Sequence, residues 1–175
     1  MRSSRAAETS LSCAALLIAK ALKDTPLTHT LRIVAFDEEE KGLIGSGAYI
    51  KTLTPSQIIA DIQLEMMGTN ARKDGRFHVI DCDKPSSLFL TGEIMSQVKA
   101  LGIPITRVKT CTQRSDHSRF WNAGIPAVCV AENFFGGDED PCYHSACDIV
   151  NDRMDFTYAS KIATAVGNAA MALAL

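Results

Sequence analysis

Several absences narrow what this chain can be. It has no basic excess: 18 Lys and Arg stand against 20 Asp and Glu, giving a net charge of −2. The electrostatic footprint of a nucleic-acid binder is therefore missing, and nucleic acid is not an expected partner. No apolar run is long. Stretches such as Ala14 to Ala19 fall far short of the ~20 residues that a membrane span needs, so a membrane is not expected either. No apolar signal segment directly follows Met1-Arg2-Ser3-Ser4-Arg5. The 6 cysteines include no CxxC pair and no zinc-finger spacing. Cys13 and Cys129 fall in apolar segments and are expected as small buried hydrophobes. Cys142 and Cys147 bracket a histidine, and their spacing leaves open whether they form a loop disulfide. Internal repeats and low-complexity segments are absent as well.

What remains is an ordinary globular composition. With 175 residues, 46% hydrophobic and 22% charged, residues 1–175 are expected to form one α/β domain. Thr9 or Ser10 is placed to cap a helix running to about Leu22, with Leu11, Ala14, Ala15, Ile18 and Leu22 at helical spacing. Leu31 to Phe36 is apolar and β-branched enough for a buried strand, and a helix starts at Leu43. Ile58 to Met66 reads as a second buried strand. Further strands are expected at Phe77 to Ile80, Ile105 to Val108 and Ala127 to Val130. Helices are expected over Ser86 to Leu101 and from about Asp155, with a short helical turn from Ser115 to Trp121. Residues 133 to 148, rich in Gly, acids and histidine, form a long loop of the kind that tends to carry function. Strands alternating with helices predict a mostly parallel central sheet covered on both faces, a three-layer sandwich.

The chemistry gathers where the apolar run 31–36 ends in Asp37-Glu38-Glu39-Glu40, 4 consecutive acids. The ends of strands are where open α/β sheets place their ligands. Glu39 and Glu40, Glu65, and the loops at Asp116 and His144 all follow predicted strands and can meet at one end of the sheet. Adjacent carboxylates point in different directions, so one can bind a metal while its neighbour faces substrate. Zinc takes carboxylate oxygen and imidazole nitrogen, and a catalytic zinc keeps one position open for water. A free carboxylate nearby can then take the proton. His29 and His78 stand alone and are expected as structural or surface residues.

These residues carry a family likeness. Phe36-Asp37-Glu38-Glu39-Glu40-Lys41-Gly42-Leu43-Ile44-Gly45-Ser46 resembles the Phe-x-x-Glu-Glu-x-Gly-Leu-x-Gly-Ser signature of the co-catalytic zinc aminopeptidases, metallopeptidase family twenty-eight. Ile62-Gln63-Leu64-Glu65-Met66-Met67-Gly68 is similar to that family's strand ending in a metal-binding acid. Ser115-Asp116-His117, with Gly124-Ile125-Pro126-Ala127, resembles its Ser-Asp-His segment, and Tyr143-His144 with Asp148 resembles its ligand loop. The resemblance covers nearly the whole chain from about Ala6. It implies a peptide substrate, Glu39 as the general base, Glu40 and His144 as ligands of one zinc, and Glu65 as a ligand of a second. Asp116 and His117 would hold the pocket around them.

Departures from the pattern shape the expectation. The family's metal-bridging Asp falls here on Glu8, one methylene longer. The family's first zinc histidine lies on a strand upstream of that turn, so the chain is expected to be N-terminally truncated relative to the family. Counting donors favours one zinc, with Glu8, Glu40 and His144, over two. The runner-up is the animal-type glutaminyl cyclase, which the resemblance relates by fold and by a single zinc. A further alternative is an inactive module that kept the fold, with self-association through an exposed sheet edge. The family is commonly secreted or periplasmic, and the compartment of this chain stays open.

Overall fold

The computed structural model describes residues 5–137 and 140–175, with side chains from Thr9 onward. Four strands, β1 (Asp61–Glu65), β2 (Phe77–Ile80), β3 (Ile105–Val108) and β4 (Ala127–Glu132), form one sheet in the order β1-β4-β2-β3. β1 runs parallel to β4 and β2 parallel to β3, while β2 and β4 are antiparallel. The sheet is therefore mixed. Glu65 pairs with Ala131 and Phe77 with Glu132, so the C-terminal ends of β1 and β4 lie at one end and those of β2 and β3 at the other.

Five helices cover both faces: α1 (Arg5–Leu22), α2 (Ile44–Ile50), α3 (Leu88–Ala100), α4 (His117–Asn122) and α5 (Phe156–Ala174). Alternation along β4 decides which face each residue serves. Val128 and Val130 pack with Phe77, Ile18 of α1, Leu90 and Ile94 of α3, and Ile162 of α5. Ala127 faces the other way, against Phe120 and Trp121 of α4 and Tyr49 of α2. Because β4 is central and buried on both faces, all six of its residues are buried. Each fully buried side chain of this size is worth about 1.5–3 kcal/mol. No helix among the described residues is long and apolar enough to cross a membrane.

Several expectations change. The helix α1 spans Arg5–Leu22, so Thr9 and Ser10 lie inside it and not at its start. Cys13 is exposed, because it sits off the Leu11-Ala14-Ile18 stripe that meets the core. The main correction concerns 31–36. The segment belongs to no strand, and Ile33 and Val34 are 44% and 41% exposed. Apolar alternation makes a strand only where a partner edge stands within ladder distance. Among the described residues no backbone–backbone hydrogen bond involves residues 30–36. A cavity of about 1370 Å³ separates this segment from β1.

Two disulfides join Cys82 to Cys111 and Cys142 to Cys147. The second takes up the pairing that the spacing left open. The first was not visible in the sequence. It ties together the loops that leave the adjacent parallel strands β2 and β3, near the buried Asp81. Burial alone would raise the Asp81 carboxyl, but hydrogen bonds from Arg107, the Asp83 amide and Thr91 outweigh it and hold the group below its usual range.

Candidate active site

Three segments of unusual backbone converge at the C-terminal end of β1. Glu39–Lys41 is a single 3-10 turn, entered through Glu38 at φ 53 and left through Gly42 at φ 105 and Leu43 at φ 58. Left-handed conformations cost L-residues free energy and persist where the surroundings hold them. Here the holds are visible. The Arg119 guanidinium donates to the Gly42 carbonyl at 2.7 Å, and Lys41 donates to Glu38 at 2.6 Å. Gly45 donates its amide to the Asp37 carbonyl, and a Cβ at Gly45 would stand 2.5 Å from that oxygen, so only glycine fits. Left-handed residues also mark the other two segments: Met66 at φ 34, directly after Glu65, and His144 at φ 55.

The turn presents Glu39 and Glu40 to the cavity that also reaches Glu65 and Asp116. His144 Nε2 stands 3.0 Å from Glu40 Oε1. The His144 ring stacks on Tyr143 with centroids 3.9 Å apart, and the Cys142–Cys147 disulfide closes the loop around both. Glu65 Oε2 accepts from Ser115 Oγ at 2.5 Å. Burial pushes the Glu65 carboxyl up to about 7; repulsion from Asp116 and Glu40 adds to this, and the Ser115 hydrogen bond offsets part of it. Burial likewise raises Asp116, against a hydrogen bond from Ser46 and the charge of Arg119.

Asp116 arrives by a different route from the one expected. β3 runs opposite to β1, so its C-terminal end lies at the far end of the sheet, and residues 109–114 bring the chain back to Ser115. His117 is fully buried, sits edge-on to Trp121 at 4.4 Å, and contacts the Thr112 carbonyl through Nε2 at 3.1 Å. Burial lowers its pKa to about 4. A neutral, enclosed imidazole is a packing and orienting group. The expected ligand Glu8 lies in α1, and its side chain is outside the described residues. His29 is exposed, and His78 is buried in β2 against Phe135, as lone structural or surface histidines would be.

Sequence reasoning assigned no role to four neighbours. Arg119 holds the acidic turn, Ser115 holds Glu65, and Arg114 lies over the Phe134 ring and reaches the Tyr143 hydroxyl at 3.4 Å. The fourth is Asp61, at the start of β1. Its carboxyl is pushed up to about 8 by burial, with Asp116 adding to the shift, and its Oδ2 has no hydrogen-bond partner among the described residues. An acid on the same strand face as Gln63 and Glu65 was the available signal.

This arrangement has relatives. The model of Peptidase family M28 matches residues 8–170. The chain belongs to that family. It is 29% identical over 141 residues to aminopeptidase YwaD of Bacillus subtilis strain 168, across 76% of this chain and 30% of the relative. The crystal structure of BSAP, a zinc aminopeptidase from Bacillus subtilis, superposes with a TM-score of 0.82 at 23% identity, over 94% of this chain and 41% of that one. A glutaminyl cyclase from Bacteroides thetaiotaomicron superposes less well, with a TM-score of 0.65 at 15% identity over 89% of this chain and 58% of its own. The M28 chain spans about a third of the length of the curated relatives it matches, at 30%, 37% and 32%.

Proposed function

We propose that this M28 domain carries the hydrolytic centre of a zinc aminopeptidase, with peptides as substrate. The observation that supports this most is the contact between His144 Nε2 and Glu40 Oε1, beside the carboxylate of Glu39 and at the end of the strand that holds Glu65. An imidazole nitrogen and a carboxylate oxygen turned to one point suit zinc, which prefers that donor pair. Two donors do not complete a site. Among the described residues no group of three His, Cys, Asp or Glu side chains could hold a metal by itself. Glu65 and Glu8 are the side chains from which further donors would come, and a set this small favours one zinc over two.

When bound, zinc polarises the scissile carbonyl and makes water acidic enough to attack at neutral pH. The chain's own residues do the rest. Glu39 takes a proton from the attacking water as its oxygen bonds to the carbonyl carbon. It then delivers that proton to the amine nitrogen as the carbon–nitrogen bond breaks. Glu40 and Glu65 supply negative charge that suits a free N-terminal ammonium. His117 and Asp116 fix the wall behind them, and Arg119 keeps the Glu39–Lys41 turn in place.

Zinc content per chain, measured with hydrolysis of aminoacyl p-nitroanilides for the native chain and Glu39→Gln, tests this reading. The expected result is zinc in both proteins and hydrolysis reduced by about 10²–10⁴-fold in the variant. Absence of zinc together with absence of hydrolysis would overturn it. So would conversion of N-terminal glutamine to pyroglutamate without hydrolysis, which is the outcome the cyclase likeness would produce.

A further inference from the structure

One charged side chain beside the site takes no part in the chemistry just described. Arg114 immediately precedes Ser115, whose hydroxyl donates to Glu65. Its guanidinium crosses to the His144 loop, lying 5.7 Å from the Phe134 ring centroid and reaching the Tyr143 hydroxyl with Nη2 at 3.4 Å. Phe134 and Tyr143 meet edge to face at 5.7 Å, and Tyr143 stacks on His144, whose Nε2 contacts Glu40. Arg114 is thus one residue from the Glu65 side of the site and one ring from the His144 side. It is exposed, and among the described residues no carboxylate pairs with it.

An aromatic face holds the flat side of a guanidinium and leaves its edge, a fixed fork of N–H donors, open to a planar anion. Tyr143 takes up one of those donors, at a distance where the bond is weak. The rings therefore place the charge without spending it. The cavity beside it is acidic, with Glu39, Glu40, Glu65 and Asp116 on its wall, and would repel a substrate carboxylate that met no cation. Contact decides that sum: a fork pairs with a carboxylate at about 2.8 Å, whereas Ser115 or an aromatic ring stands between Arg114 and each of Glu65 and Glu40. We propose that Arg114 is a specificity-determining residue that selects peptides whose first residue has an acidic side chain, aspartate or glutamate, by pairing its guanidinium with that side-chain carboxylate. The proposal rests on the aminopeptidase reading, in which the N-terminal ammonium lies by Glu40 and Glu65 with the first side chain beside it. Arg114 touches no reacting atom. Its loss raises KM for one class of substrate and spares the chemistry.

The test is kinetics on the full chain with zinc in the buffer, using the p-nitroanilides of α-glutamate, glutamine and leucine. None of these has a C-terminal carboxylate, so the charge tested is that of the first side chain alone. The native chain should show a kcat/KM for the glutamate substrate at least about tenfold above that for glutamine, which has the same length and no charge. Arg114→Ala should abolish that ratio, through KM, and leave the leucine substrate little changed. Arg114→Lys keeps the charge without the fork and should retain part of the preference. Binding decides where turnover does not. Calorimetry of the α-amides of glutamate and glutamine with Glu39→Gln should show the same preference, and adding Arg114→Ala should remove it. A preference in binding with no hydrolysis by the native chain would uphold the role of Arg114 and sink the peptidase reading. Equal kcat/KM and equal binding for glutamate and glutamine would overturn the proposal. So would an Arg114→Ala that weakens all three substrates alike, the result expected of an arginine that only packs the loop.

Discussion

β4 and β1 are neighbours in one sheet and differ in almost every physical respect. β4 has a strand on each side and helices on both faces, and all six of its residues are buried. β1 has one strand partner, and all five of its residues are only half-buried. The contrast shows that an apolar strand sequence acquires its burial from neighbours on both edges as well as both faces. It also divides the molecule. The β4-β2-β3 half is closed and carries the stability, whereas the β1 half is open and carries Glu39, Glu40 and Glu65 beside the gap.

The strongest way to break the division is to open the closed half. Phe77 at the start of β2 is fully buried in the main core with Val128, Val130 and Ile162. Phe77→Ala should cost about 3–5 kcal/mol, read as a lower midpoint in urea unfolding, since the cavity cannot collapse between a sheet and three helices. A loss below 1 kcal/mol, on the order of a surface substitution, would show that this half is no better packed than the other.

The next effect lies at the seam. Glu132 closes β4, is 2% exposed, donates its amide to the Met66 carbonyl and accepts from the Thr69 amide at 2.7 Å. Burial pushes its carboxyl from 4.5 up to about 8, with Asp140 and Glu65 adding to the shift and the Thr69 hydrogen bond opposing it. Between those two values the folded chain holds a proton that the unfolded chain has released. This contribution to stability is therefore full below pH 4.5 and is lost as pH rises toward 8. Glu132→Gln keeps the acceptor and removes the titration. Its stability should fall less steeply over that window, by up to about 1.4 kcal/mol per pH unit. Parallel pH profiles for the two proteins would mean that water reaches this end of β4.

The same division separates what the sequence disclosed from what it did not. β2, β3, β4 and α5 were legible because their periodicity and their burial have one cause, a face that meets the core. The acids of Glu38 to Glu40, with Glu65, Asp116 and His144, were legible as a group because their residue types suit one chemistry. The strand expected at 31–36 failed for a reason that composition cannot show: a strand is a relation between two backbones. The Cys82–Cys111 link was hidden likewise, since it depends on β2 and β3 being neighbours. The holds on the site, Arg119 on the Gly42 carbonyl and Ser115 on Glu65, needed three dimensions. So did the left-handed turns at Leu43 and Met66, residue types that give no local sign of positive φ.

The smallest expected effect is also the sharpest test of the open half. In the closed half, Ile94→Ala and Ile162→Ala remove fully buried side chains and should each cost about 2–5 kcal/mol. Ile33→Ala removes the same atoms from a side chain that is 44% exposed on a segment without ladder bonds. There is little contact to lose, so stability should change by no more than about 0.5 kcal/mol. Amide exchange should agree, with residues 31–36 exchanging far faster than Val128 and Val130, because unpaired amides need no unfolding event to meet water. Should Ile33→Ala instead destabilise as much as Ile94→Ala, the segment is packed in solution against something that fills the gap. The comparison between β1 and β4 would then describe two interior strands and not an interior and an edge.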